Sequence, residues 1–195
     1  RECAALIGDG QLEVGGKTID DPDTPLDPLG LVFHVQQRAW PWTASALLLL
    51  HKPAGYECSQ RPRHHLSVMS LLPAPLRRRG VQPVGRLDED TTGLLLLTDD
   101  GALIHRLTSP KSMLPKVYQI VTKHPATPAQ AARLCQGVVL DDDPQAVRAA
   151  ACECTASHTM QLTLTQGKYH QVKRMVAAVG NRVSALHRSA FGNLD

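Results

Sequence analysis

Apolar residues follow two different patterns along this 195-residue chain. Residues 47–50 and 94–97 are uninterrupted apolar runs, which are typical of strands buried on both faces. Across residues 159–165 apolar and polar residues alternate strictly, which predicts a strand with one buried face. Residues 117–122 are rich in β-formers and are predicted to form a further strand.

Two helices have clear sequence signals at their ends. Thr127 and Pro128 fit the cap and first position of a helix that ends before Gly137, and residues 169–179 fit a second helix closed by Gly180. Strands outnumber helices and do not alternate regularly with them. This order predicts an α+β domain with a largely antiparallel, mixed sheet and flanking helices.

Residues 1–42 differ from the rest of the chain. They fit the end of a helix over residues 1–7, a hairpin over residues 11–19 that turns at Gly15-Gly16, a short strand over residues 31–35 and a linker at 40–42. This is too little apolar material for a separate core. We therefore predict a partial small domain with its linker at 1–42, followed by the main domain at 43–195.

Composition narrows the class of protein only moderately. The chain is 43% hydrophobic and 20% charged, with a net charge of +3, which fits a globular protein and permits nucleic-acid binding without requiring it. No apolar run approaches the roughly 18 residues that a membrane-spanning helix needs. The five cysteines are odd in number and scattered, so a reducing cytoplasm is expected rather than a disulfide framework.

A polar loop flanked by Gly85 and Gly93 separates two apolar segments. It carries Arg86 and the carboxylates of Asp88, Glu89 and Asp90. Loops held between scaffold elements commonly carry catalytic groups, but the same spacing also fits a simple turn. Further along, residues 99–101 fit a turn that starts a helix.

Two more stretches contain candidate chemistry. Residues 167–175 place Lys168, Lys173 and Arg174 near a predicted helix start, which fits either a phosphate site or a solvated basic face. Residues 116–118 place Lys116 beside Tyr118 at a strand start, where tyrosine is usually part of the core.

Taken together and in this order, these stretches resemble the motifs of the pseudouridine synthases. The matching segments are HKPxGY at 51–56, GRLD at 85–88, TTGL at 91–94, SP at 109–110, KxY at 116–118 and GKYHQVKRM at 167–175. Their spacing is most similar to the bacterial small-subunit ribosomal RNA branch, the RsuA type, over about residues 44–192. Residues 1–42 resemble the second half of the ribosomal S-four RNA-binding domain. The resemblance implies that the chain is trimmed at both ends, including the C-terminal end of the catalytic domain.

The resemblance implies an isomerase that converts a uridine of 16S ribosomal RNA to pseudouridine without cofactor or metal. It implies that Asp88 is the catalytic carboxylate, that Tyr118 stacks on the uracil, and that Lys173 is the cation that pairs with the aspartate. The residues implied in RNA binding or loop orientation are Arg86, Lys116, Lys168, His170, Gln171 and Arg174. The expected partner is ribosomal RNA or a small-subunit assembly intermediate, bound by a monomeric cytoplasmic enzyme that does not contact a membrane.

Other readings stay open at this point. The target could be 23S large-subunit ribosomal RNA, or the chain could be a non-catalytic RNA-binding module, which would leave Asp88 without a role. A glycosidase or nucleosidase would need a second catalytic carboxylate and would release free base. A metal-dependent hydrolase would have to gather Asp88 with Asp90, Asp99 and Asp100, the last three of which we otherwise expect to be structural.

Overall fold

The computed structural model describes residues 2–141 and 143–195, and the chain forms two compact units. The units are Arg1–Ser45 and Ala46–Asp195. The division therefore falls between Ser45 and Ala46, whereas the sequence predicts a boundary after residue 42.

The first unit is a short helix followed by a small antiparallel sheet. The elements are α1 (Glu2–Gly8), β1 (Leu12–Val14), β2 (Lys17–Ile19), β3 (Val32–Val35) and β4 (Arg38–Pro41), and the strand order is β2-β1-β3-β4. The hairpin predicted over residues 11–19 is confirmed as β1 and β2. The linker predicted at 40–42 is wrong for Trp40 and Pro41, which lie in β4, because this strand pairs along β3 with Trp40 opposite Phe33. No described residue of this unit is buried.

The described residues of the second unit form eleven strands. They are β5 (Leu47–Lys52), β6 (Tyr56–Glu57), β7 (Leu66–Ser67), β8 (Gln82–Pro83), β9 (Thr92–Thr98), β10 (Lys116–Thr122), β11 (Val138–Leu140), β12 (Asp143–Val147), β13 (Ala151–Ala156), β14 (Thr159–Leu164) and β15 (Val183–Phe191). Six of them form the main sheet in the order β13-β14-β10-β15-β9-β5, and β8 adds to β9. Every pairing in this sheet is antiparallel except that of β15 with β9. The predicted α+β class with a largely antiparallel mixed sheet is confirmed.

Four helices flank this sheet: α2 (Ala74–Arg78), α3 (Gly101–Thr108), α4 (Pro128–Gln136) and α5 (Gln171–Ala178). The predicted start of α4 is confirmed, since Thr127 and Gln130 form a reciprocal capping box. Helix α3 begins after Asp100, whose carboxylate accepts the Leu103 N–H. Among the described residues, every helix is too short or too polar to span a bilayer.

The main sheet separates two apolar layers, and this separation explains the long apolar run of β9. Leu95 and Leu97 pack into the larger core, whereas Leu94 and Leu96 pack on the other face with Ile104 and Leu107 of α3. The prediction that residues 94–97 are buried on both faces is therefore confirmed.

The same prediction is wrong for residues 47–50. Leu48 and Leu50 pack on the core, but Leu47 and Leu49 are 60% and 56% exposed. Strand β5 is the last strand of the sheet order, and the second apolar layer, which covers Leu94 and Leu96 of β9, does not include Leu47 and Leu49.

Candidate active site

Asp88 lies in a tight turn that leads into β9. We call residues 88–91 the acidic loop, since they comprise Asp88, Glu89, Asp90 and Thr91. The Thr91 N–H donates to the Asp88 carbonyl oxygen at 3.1 Å and closes the turn. The Gly55 N–H donates to the Glu89 carbonyl oxygen at 2.9 Å, which ties the loop to the segment after β5.

Lys52, at the end of β5, holds the acidic loop through the loop's backbone. Its side chain is fully buried, and its ammonium group donates to the carbonyl oxygens of Glu89 and Thr91, each at 2.9 Å, and of Pro53 at 3.0 Å. Burial lowers the pKa of Lys52, while nearby Cys58 and the carboxylates of the loop act against this shift. The three carbonyl groups satisfy all three donors of an ammonium group, so the lysine is bound without a direct carboxylate partner.

The far end of the loop is fixed by a close approach of two backbones. Gly93 has a φ of +105° and pairs with Arg188 across the parallel junction of β9 and β15. A Cβ atom at Gly93 would overlap the Arg188 carbonyl oxygen and lie 2.8 Å from the Arg188 backbone nitrogen. Only glycine fits this position without a shift of one strand.

The carboxylate of Asp88 lies between two basic side chains of the α5 region. The Lys173 Nζ atom is 3.4 Å from Asp88 Oδ2, and the His170 Nε2 atom is 3.3 Å from Asp88 Oδ1. The Asp88 side chain is only 25% exposed. His170 adopts a left-handed conformation with φ of 46° immediately before α5, and its ring stacks on Tyr169.

Lys173 binds Asp90 more closely than Asp88. Its Nζ atom lies 2.6 and 2.8 Å from the two carboxylate oxygens of Asp90. Burial acts to lower the pKa of Lys173, but the hydrogen bond and charge of Asp90 and the charge of Asp88 raise it above its ordinary value. From the sequence we expect Asp90 to be structural. In the structure it belongs to the same charged cluster as Asp88, since both bind Lys173.

Tyr118 lies two strands away from the loop, at the same level of the sheet. In register, Tyr118 of β10 faces Arg188 of β15, and Arg188 in turn faces Gly93 of β9. Two strand spacings place the backbone of Tyr118 about 10 Å from that of Gly93. Tyr118 is 8% exposed and belongs to the larger core.

Arg188 is a buried cation that is not among the site residues predicted from the sequence. It is 2% exposed, its Nε atom donates to the Leu94 carbonyl oxygen at 2.8 Å, and its guanidinium lies over the Phe191 ring. Its Nη2 atom makes no hydrogen bond with the described residues. A buried donor without a partner is rare in folded proteins. The only sequence signal is one arginine within a largely apolar strand.

The side chains implied in RNA binding occupy different environments. Arg86 is exposed, Lys168 is partly buried, and Arg174 Nη1 donates to the Tyr169 carbonyl oxygen at 3.0 Å. Lys116 is partly buried over the Phe191 ring, and burial, followed by the charge of Arg188, lowers its pKa.

Gln171 is buried at the first position of α5. It is 4% exposed, and its side-chain oxygen accepts the Lys168 N–H at 2.7 Å. A buried amide occupied in this way orders the turn before α5, which fits the loop-orienting alternative of the two roles expected for it.

Asp99 and Asp100 are occupied away from the acidic loop. Asp99 accepts the Ala46 N–H and binds Arg79 at 2.7 Å, while Asp100 caps α3. These contacts lower the pKa of Asp99 although its desolvation acts in the opposite direction. The four-aspartate cluster required by the hydrolase reading is therefore not formed. Within residues 2–141 and 143–195, no three side chains of the metal-binding types come together.

Comparison with known proteins agrees with this geometry. A family model for RNA pseudouridylate synthases matches residues 46–178, which include the acidic loop, Tyr118 and α5. The chain belongs to this family. A solved crystal structure of a pseudouridylate synthase covers 98% of the chain with a TM-score of 0.73 and 31% identity, over 82% of its own length.

Two bacterial proteins show how similar the chain is to individual relatives. The ribosomal small subunit pseudouridine synthase A of Vibrio parahaemolyticus is 40% identical over all of this chain and 83% of its own length. Its counterpart from Yersinia pestis is 41% identical over 75% of this chain and 62% of its own length. The chain thus spans less than two thirds of the Yersinia relative.

Proposed function

We propose that the chain isomerises a uridine of ribosomal RNA to pseudouridine, with Asp88 as the reacting carboxylate and 16S ribosomal RNA as the substrate. The observation that carries the proposal is the position of Asp88. Its carboxylate is three-quarters shielded from solvent, lies between Lys173 and His170, and sits on a loop fixed from beneath by Lys52.

The reaction needs a carboxylate of this kind. The bond between uracil N1 and ribose C1′ breaks, the uracil turns, and a bond between C5 and C1′ forms, while the C5 proton is lost and N1 gains one. No electrons are gained or lost overall. An ionised carboxylate beside the ribose either attacks C1′ or removes a neighbouring ribose proton. The target base must leave its stack to reach it.

The surrounding side chains have separate tasks in this proposal. Lys173 stays protonated at neutral pH, since its pKa is raised, and it places a positive charge 3.4 Å from the Asp88 carboxylate. Asp90 orients the lysine by binding it through both carboxylate oxygens. Tyr118 supplies a ring on which the extruded uracil stacks, and Arg86 helps to hold the RNA with that base out of the helix.

The choice of 16S ribosomal RNA rests on the relatives named above, which are small-subunit synthases over the region that this chain shares with them. The second candidate substrate is 23S ribosomal RNA of the large subunit. A ribosomal RNA substrate also implies that the protein acts in the cytoplasm, where ribosomal subunits are assembled.

The test is tritium release from RNA labelled at uracil C5. The chain is incubated with 16S and, separately, 23S ribosomal RNA, and the modified position is mapped by sequencing. We expect release from 16S ribosomal RNA at one position. Release from 23S ribosomal RNA alone would overturn the target, and release from neither by a folded protein that binds both would overturn the activity in favour of an RNA-binding module.

A further inference from the structure

A second loop of the unit Ala46–Asp195 carries unpaired positive charge next to the acidic loop. We call residues 59–65, between β6 and β7, the basic loop. Its cationic and titratable side chains are Arg61, Arg63, His64 and His65, all of which are exposed. Neither guanidinium group forms an ion pair or hydrogen bond with any described residue. Two exposed arginines without acidic partners are free to bind an external anion.

The basic loop is ordered by a carboxylate rather than left loose. Glu57 accepts the backbone N–H groups of Arg63 at 3.1 Å, His64 at 2.8 Å and His65 at 2.9 Å. At the base of the loop, the parallel pairing of β6 with β7 and the bond from Ser67 Oγ to the Ser59 carbonyl oxygen bring its two ends together. The Glu57 carboxylate binds these backbone N–H groups and not the arginine side chains. We call this ordered backbone the frame of the basic loop.

Three contacts attach this part of the chain to the acidic loop or to Leu87, the residue before it. The Gly55 N–H donates to the Glu89 carbonyl oxygen at 2.9 Å, and the Leu87 N–H donates to Cys58 Sγ at 3.4 Å. His65 Nε2 lies 3.9 Å from a carboxylate oxygen of Glu89, the residue next to Asp88. The basic loop is therefore held at the edge of the candidate active site.

The charge of the acidic loop explains why cations are needed at this position. An RNA strand is a polyanion, and it approaches a loop that carries three adjacent carboxylates, Asp88, Glu89 and Asp90. Repulsion at that point has to be offset by cations beside it, and arginine is well suited to bind phosphate through paired N–H donors.

We propose that the basic loop is a phosphate clamp, in which Arg61 and Arg63 bind the backbone of the RNA strand on one side of the target uridine. This inference rests on the proposed function, since it concerns the same RNA. The clamp fixes the strand beside Asp88, so that the target nucleotide is the one that reaches the carboxylate. The ordered backbone around Glu57 lowers the entropy lost when the arginines bind.

The first experiment compares two charge-matched double variants of the full chain. In Arg61→Gln/Arg63→Gln the clamp is neutralised, and in Arg133→Gln/Arg148→Gln two exposed arginines of α4 and of the β12–β13 connection are neutralised instead. Both variants lose the same net charge. The dissociation constant for an in vitro transcript of 16S ribosomal RNA is measured across a series of salt concentrations, and thermal unfolding checks that both variants fold.

We expect the clamp variant to bind more weakly and with a shallower salt dependence. Two lost contacts to single-stranded RNA reduce the log–log slope by about 1.4, so its affinity ratio to the wild type changes about 25-fold over a tenfold range of salt. The control variant should keep the wild-type slope. Equal slopes for the two double variants would overturn the clamp.

A second variant separates an ordered clamp from general charge attraction. Glu57→Gln makes the protein more positive, so charge alone predicts tighter RNA binding. Loss of the ordered frame predicts weaker binding with an unchanged salt slope, because the arginines remain but must be ordered on binding. Tighter binding of Glu57→Gln would overturn the ordered clamp.

Tritium release by the same proteins keeps the two proposals distinguishable. If the wild type releases tritium and the clamp variant binds like the control, the clamp fails and the isomerase activity stands. If no protein releases tritium but the clamp variant alone loses affinity and slope, the loop binds RNA and the proposed activity fails.

Discussion

The acidic loop and the basic loop are each ordered by one charged side chain that binds backbone groups, and the two side chains have opposite charge. In the acidic loop one cation, Lys52, donates to three backbone carbonyl groups; in the basic loop one anion, Glu57, accepts from three backbone N–H groups. The difference is burial. Lys52 is inaccessible to solvent, whereas Glu57 lies in the surface region around exposed residues.

This difference in burial predicts how a substitution in each loop changes the stability of the protein. Water replaces a lost partner at the surface, but a carbonyl group that loses its donor in the interior stays unsatisfied. The acidic loop should therefore be coupled to the stability of the whole unit. The basic loop should be separable from that stability and matter mainly for RNA.

The largest effect on stability is expected from Gly93→Ala. The new Cβ atom overlaps the Arg188 backbone, and the positive φ adds strain, so the free energy of unfolding should fall by about 3–5 kcal/mol. Urea denaturation measures the loss. The control is Gly101→Ala at the start of α3, which meets no atom within 4 Å and should change stability little. Similar stability for the two variants would contradict the rigid junction at Gly93.

Lys52→Met tests the buried clamp itself. Methionine replaces the unbranched stem of the lysine and ends one atom short of the ammonium group, so three carbonyl groups lose their donor. We expect a loss of about 2–4 kcal/mol in the free energy of unfolding. Tritium release should fall as well, measured where the variant remains folded. Lys123→Met, at an exposed position after β10, serves as the control. A Lys52 variant with the stability of this control would show that the acidic loop holds its shape without the lysine.

The smallest effect should appear when Glu57 is titrated. Three backbone N–H groups, of His64, His65 and Arg63, lower the pKa of Glu57. The order that it gives the basic loop is therefore complete above the ordinary carboxyl pKa of about 4.3 and is lost as pH falls through the lowered value. Two-dimensional NMR should show the amide signals of these residues moving with one midpoint below that of a free glutamate. A midpoint at or above the ordinary value would mean that the carboxylate does not hold the loop.

Sequence patterns predict the scaffold better than the contacts of the site. The caps of α4 and the double burial of residues 94–97 follow from local signals, namely Thr127-Pro128 and an unbroken apolar run. The exposure of Leu47 and Leu49 could not be predicted from their run, because it depends on how far the apolar layer beside α3 extends across the sheet.

The contacts of the charged cluster depend on how distant segments meet. Motif resemblance brings Asp88 and Lys173 together, but the closer partner of the lysine, Asp90, is set by the angle between the acidic loop and α5. Lys52 carries no sign in the sequence that its partners are carbonyl groups 37 and 39 residues away. Arg188 is hidden for the same reason, since its neighbours come from β9 and β10.

The most direct test of the account compares two aspartates that share one lysine. Single-turnover tritium release at saturating 16S ribosomal RNA is measured for Asp88→Asn and Asp90→Asn beside the wild type. We expect Asp88→Asn to retain less than about a hundredth of the wild-type rate with unchanged RNA affinity, and Asp90→Asn to stay within about tenfold of wild type. A faster rate for Asp88→Asn than for Asp90→Asn would contradict the assignment of Asp88 as the reacting carboxylate.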